Sequence, residues 1–206
     1  PRTGVAPLLF APWERSEKTW FAPGATQLAG HMTAKSSRYA WLVGDRDGLA
    51  AQKEQLDYLL TRAKREVLGG DECLVWDHPL DGTFRADFGA ERATSTRHMF
   101  NWAIASAMLH WYRNEGTREY LPVIDGMVKW TRHYLYDRAG MADLPWAVFS
   151  MGAANGGEFL LDYYYTFRDD PERRDLAAEA FRLAEVVVYR NIYPYLSDPD
   201  ARNAMD

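Results

Sequence analysis

Cysteine is almost missing from this chain. Cys73, the only one in 206 residues, excludes an internal disulfide and a cysteine metal cluster, and it reads as a small buried hydrophobe. Positive charge is also short, with 24 Lys and Arg against 29 Asp and Glu and a formal net charge of -5. Nucleic acid, which wants a concentrated basic surface, is disfavoured as a partner. No run approaches the roughly 18 consecutive apolar residues of a membrane-spanning helix, so no membrane span is expected. Only 5 His are present, and no two stand at the helical spacing of a zinc site. Gly-rich phosphate loops and nucleophile elbows are missing as well, and no metal or other cofactor is expected.

Aromatic residues are plentiful: 8 Trp and 12 Tyr. They serve either as filler between large helices or as flat platforms for sugars in a cleft. The apolar content, 47%, is ordinary for a globular chain, and the length suffices for one well-buried core. The chain starts at Pro1 and not at Met, which raises the expectation of a processed or excised piece.

Residues 1–26 mix Pro7, Pro12, Pro23, Trp13 and Trp20 without helical period and read as an extended lead-in segment. Residues 27–196 form a helical domain and 197–206 a tail. A first helix is expected from Gln27 to Val43, then a Gly44-Asp45 turn. A second helix should run to about Leu68, with Leu49, Leu56, Leu60, Ala63 and Val67 on one stripe and Gly69-Gly70 as its stop. In the irregular stretch 71–93, Asp81-Gly82 signals a tight turn between two short strands, Cys73–Trp76 and Thr83–Asp87. Thr94, Ser95 and Thr96 offer N-cap hydroxyls to a helix whose Met99, Phe100, Trp102, Ile104, Met108, Leu109 and Trp111 cover every azimuth. Its partner, Thr117 to Asp137, is apolar on one side only. After a loop at 138–145, Trp146–Phe167 is again apolar all round. Asp170 as cap and Pro171 then start an amphipathic helix carrying Leu176, Ala180, Leu183, Ala184 and Val187.

Three helix pairs therefore follow one another. Pairs two and three align without a gap, Arg113 falling on Arg168, Leu121 on Leu176, Val128 on Leu183 and Tyr134 on Tyr189. A period of about 55 residues signals stacked helical hairpins. Fully apolar helices alternating with one-faced ones give an inner layer wrapped by an outer one. The expected class is all-α: stacked helical hairpins forming an (α/α) toroid or a three-hairpin arc of one, with a short β-hairpin-like insertion at about 71–93. Short turns close one end. The long connections, 69–93 and 138–145, should then meet the N-termini of the inner helices at the opposite rim, where function is expected.

The richest rim cluster is Arg97, His98, Asn101 and Trp102. A cation, a titratable imidazole, an amide and a flat indole within one turn can neutralise a carboxylate, move a proton and stack on a sugar. The same letters also describe a polar first turn whose Trp packs in the core. Glu158 follows Asn155-Gly156-Gly157 on an apolar helix and is the candidate general acid for hydrolysis, or an arginine partner. The two glycines imply close approach of a helix or of a ligand. Trp76, Asp77 and His78 offer an aromatic platform with a carboxylate beside it, or an ordinary solvated loop. Trp146 and Asn155 complete the candidate substrate contacts.

The stretch His98-Met99-Phe100-Asn101-Trp102-Ala103, running on through His110-Trp111-Tyr112-Arg113-Asn114-Glu115-Gly116 to Tyr120-Leu121, resembles the hairpins of six-hairpin glycosidases and toroidal polysaccharide lyases. Phe167-Arg168-Asp169-Asp170-Pro171 looks similar in the third unit. The resemblance implies glycan-cleaving relatives and a cleft at the inner-helix rim. Toroidal lyases use a Tyr or His base with Asn and Arg quenching the uronate carboxylate, which would carry onto His98, Asn101 and Arg97. Hydrolases of the fold use paired carboxylates, and no pair stands out here. The expected function is a portion of a carbohydrate-active enzyme cleaving an acidic polysaccharide by uronate β-elimination or glycosidic hydrolysis. A non-catalytic helical-repeat module binding glycan or protein is the alternative. A polysaccharide or oligosaccharide, and further domains or chains completing the toroid, are the implied partners. The resemblance alone implies a secreted or periplasmic address.

Overall fold

The computed structural model describes residues 26–76, 89–137 and 146–187. Within them the chain is mainly helical, with one small antiparallel sheet. Helix α1 (Thr26–Val43) ends at Gly44, whose φ of +72° turns the chain, and Asp45 caps α2 (Arg46–Thr61) by accepting the Gly48 N–H at 2.9 Å. Helix α3 (Gly89–Glu115) leads through Gly116 and a 3-10 turn at Arg118–Tyr120 into α4 (Leu121–Asp137). Helix α5 (Trp146–Phe167) and α6 (Arg174–Val187) form the third pair.

Several expected boundaries move, among them the starts of α4, at Leu121 and not Thr117, and of α6, at Arg174 and not Pro171. The second helix stops at Thr61 and not near Leu68: Lys64–Leu68 is strand β1, paired antiparallel with β2, Asp71–Val75. Gly69 and Gly70 are the hairpin turn between them, at φ +54° and +92°. A Gly-Gly pair fits both a helix stop and a tight hairpin turn, and the stripe ending in Ala63 and Val67 did not separate the two readings. The strand expected at Cys73–Trp76 is β2, whereas Asp81-Gly82 and Thr83–Asp87 lie outside the described residues. Helix α3 begins at Gly89, so Thr94, Ser95 and Thr96 lie inside it and not at its start. In the third pair Asp170 still organises the start: its carboxylate accepts the Glu172 N–H at 2.8 Å and its carbonyl the Arg174 N–H at 2.8 Å, one turn before regular helix begins.

Helices α1, α3 and α5 lie side by side and parallel. Trp111 Nε1 donates to Ser37 Oγ at 2.9 Å and Trp41 Nε1 to Glu115 at 2.5 Å, tying α1 to α3 at matched heights. Trp102 meets Gly156, and Tyr112 meets Phe167 with ring centres 5.2 Å apart, tying α3 to α5 in the same sense. Helices α4 and α6 run parallel in a second layer, joined by Arg132 and Glu179 at 2.9 Å. Asp125 of α4 also accepts from Tyr163 Oη at 2.8 Å and from Arg173 Nε at 3.1 Å.

The β-hairpin lies against α4, because Gly126 leaves room for the backbone of Cys73 and Leu74. His133 holds Asp71 at 2.8 Å, and Trp130 Nε1 donates to Glu66 at 3.3 Å. Part of the stretch expected at the rim, 71–76, is thus built into the body of the fold. The core runs between the layers. Trp102, Ile104, Met108, Leu109 and Trp111 are all buried, with Ile124, Val128, Phe159, Tyr163, Leu183 and Val187 in the same core, but the helix is not buried on every side as expected: Ser106 and His110 are half-buried and Arg113 is exposed. Of the Tyr163-Tyr164-Tyr165 run, the first is buried, the second half-buried and the third exposed.

Candidate functional site

Of the rim residues singled out from the sequence, Asn101 is fully buried, and its amide is a structural clamp. Its Oδ1 accepts the Trp76 N–H at 2.7 Å, and its Nδ2 donates to the Trp76 carbonyl at 3.0 Å. The side chain thereby supplies the partner a neighbouring strand would give the residue that follows β2. Trp102 is also buried, its Nε1 donating to Thr131 Oγ1 at 2.8 Å, and Trp76 donates its Nε1 to the Leu59 carbonyl at 2.7 Å. Neither indole offers a face for a sugar; both hold the layers together. The expected platform role is corrected for both.

Glu158 is exposed on α5. Arg97 and His98 stand in the first half of α3, and Trp146 and Asn155 in α5; their side chains, like Asp77 and His78 altogether, lie outside the described residues.

A different cluster occupies the open face of the parallel layer. Ser106, His110 and Arg113, at i, i+4 and i+7, form the half-buried to exposed stripe of α3, and Glu158, Asp162 and Tyr165 form the corresponding stripe of α5. Between the stripes, His110 Nε2 lies 3.2 Å from Asp162 Oδ2, and Arg113 Nη1 lies 3.4 Å from Asp162 Oδ1. The bond to His110 holds the Asp162 carboxyl below its ordinary 3.8 against the opposing effect of burial, and the charges of His110, Arg113 and Arg38 of α1 add to it. Helices α1 and α3 contribute the cations of this face, and α5 the carboxylates. The cluster sits towards the C-terminal ends of the helices, away from the rim where the long connections start.

Chemically, an imidazole oriented by a carboxylate is a dyad whose second ring nitrogen is available to take or give a proton. The arginines beside it suit a carboxylate or another anion. Glu158, one turn from Asp162, adds a second carboxylate. No group of three or more His, Cys, Asp or Glu side chains among the described residues is arranged to hold a metal ion.

Sequence reasoning passed over His110, Asp162 and Arg38. The signal was the repeat itself: parallel helices offset by one period bring residues 52 to 55 positions apart together, as His110 meets Asp162 and Tyr112 meets Phe167. No helix among the described residues is long and apolar enough to cross a membrane. No family model matches the chain, and neither the curated proteins nor the solved structures give a match.

Proposed function

We propose that the chain is a three-hairpin arc of an α/α toroid whose open face of parallel helices takes an acidic saccharide. The observation that carries this reading is the Asp162–His110–Arg113 cluster with Arg38 nearby, two arginines beside an imidazole oriented by a carboxylate on the open face of the parallel helices. Elimination would use these groups as follows. A free imidazole nitrogen of His110 takes the C5 proton of a uronate while Arg113 and Arg38 neutralise its carboxylate. The electrons left at C5 form the C4–C5 double bond as the C4–O bond breaks, and the leaving oxygen takes up a proton from water. Asp162 steadies the imidazolium formed.

Asn101 is committed to Trp76, so the His98, Asn101 and Arg97 trio loses its amide, and His110 becomes the favoured base. Hydrolysis would need Glu158 and Asp162 as the carboxylate pair. A binding module without chemistry is the second reading, favoured by the distance of the cluster from the long connections. Incubation with uronate polymers tests all three. Ultraviolet absorbance of an unsaturated product marks elimination, new reducing ends without it mark hydrolysis, and retention without either marks the module. A chain that neither cleaves nor retains uronate polymers contradicts the proposal.

A further inference from the structure

Exposed large apolar side chains among the described residues gather at the two ends of the stack. Tyr39, Leu42 and Val43 are 65%, 79% and 55% exposed on the first hairpin, and Tyr165 and Phe181 are 60% and 37% exposed on the third; Val67 of β1 is the one elsewhere. Tyr39 stands two residues from both Ser37 and Trp41, the α1 residues that meet α3, and so on the opposite side of the helix. Tyr165 stands two residues from both Tyr163 and Phe167 and points away from the second hairpin in the same manner. Tyr164 bridges Tyr165 and Phe181 at ring distances of 5.1 and 4.9 Å, and Arg168 lies 5.4 Å over the Tyr165 ring, making one continuous patch.

The first hairpin presents a groove there, about 360 Å³, lined by Ser36, Tyr39, Ala40, Asp45, Gly48 and Gln52. Gln52 Oε1 is buried with no hydrogen-bond partner, and both amide atoms of the buried Gln55, one turn on, are unpartnered too. At the far end, Tyr165 and Arg168 occupy the repeat positions of His110 and Arg113, the residues with which the second hairpin holds the third through Asp162. The joining device recurs at the end of the stack. The ties that keep α1, α3 and α5 level place it at the height of the groove, whose carboxylate is Asp45.

From this pairing of edges we propose that the chain associates head to tail with a second copy, the Tyr165–Arg168 edge of one protomer seating in the Tyr39–Asp45–Gln52 groove of the next. Arg168 meets Asp45 as Arg113 meets Asp162, and the aromatic patch covers Tyr39 and Leu42. The contact is heterologous, so neither edge pairs with itself. It rests on the stacking of the hairpins and not on the saccharide reading, and it is measured without saccharide.

Sedimentation velocity of the full chain over a concentration series tests it, with Tyr39→Glu and Arg168→Glu as variants at exposed positions and circular dichroism to check their folds. The wild type should rise in mass with concentration, and each variant alone should stay monomeric. An equimolar mixture should form a one-to-one dimer, because the groove broken in one variant is intact in the other. A wild type that stays monomeric up to its solubility limit overturns the proposal. So does a mixture that stays monomeric while the wild type associates.

Discussion

Gly156 lies directly beneath the indole of Trp102: a Cβ built on the glycine would come within 2.8 Å of three atoms of the ring. The indole cannot swing aside, because it is buried and pinned to Thr131. Its neighbour Gly157 would place a Cβ 3.7 Å from Val187 Cγ1, an ordinary contact. Adjacent glycines in one helix therefore have opposite roles.

Replacing each by alanine should separate them. Both changes gain about 1 kcal/mol of helix propensity. Gly156→Ala also forces overpacking of about 1–3 kcal/mol, so it should be net destabilising. Gly157→Ala should stabilise by up to about 1 kcal/mol. Urea unfolding of the two variants checks this, and equal effects would contradict the parallel packing of α3 on α5.

Asn101→Ala should lower stability by on the order of 2–4 kcal/mol, because a buried N–H and a buried carbonyl of Trp76 lose their partners together. Amide hydrogen exchange at Trp76 should accelerate in the variant. Full stability with lost activity would instead restore Asn101 to a chemical role.

How much of this was legible beforehand differs by level. The α5 boundaries followed from its uniform apolarity, and the glycine pair announced close approach by interrupting it. Strand β1 was hidden because Gly69-Gly70 punctuates a helix and a hairpin equally well. The Asn101 clamp was beyond reach for a different reason. A polar letter near a helix start carries no mark of a partner 25 positions earlier, and exposure was the natural assumption. His110 and Asp162 became a pair only once the interhelical register was known.

Two histidine-paired carboxylates predict the acid limb of the stability curve. Asp71 is held below its ordinary 3.8 first by the His133 bond, and Asp162 likewise by His110. A depressed folded value means that the unfolded chain binds the proton more readily. The contribution is therefore fully present above about pH 4 and is lost as pH falls through the folded values. Denaturation midpoints between neutral pH and pH 3 should fall less steeply for Asp162→Asn than for the wild type. An unchanged slope would show that the pairing has no energetic weight.

Cys73 is buried in β2, and its thiol is pushed up to about 11, chiefly by burial and secondarily by Asp71. Thiolate is the reactive form, so a thiol reagent at neutral pH should leave the native protein unmodified and label it only on unfolding. Rapid labelling in native buffer would place β2 outside the core.

Arg113 offers the most direct test of the acidic-saccharide reading, since it is exposed at the edge of the cluster and can be reversed in charge without emptying the core. Calorimetric titration with a uronate oligosaccharide should show binding to the wild type, at least tenfold weaker binding to Arg113→Glu, a loss of about 1.4 kcal/mol or more, and none to the carboxyl-reduced sugar. Equal affinity of wild type and variant for the uronate would contradict the account, and so would indifference to the sugar carboxylate.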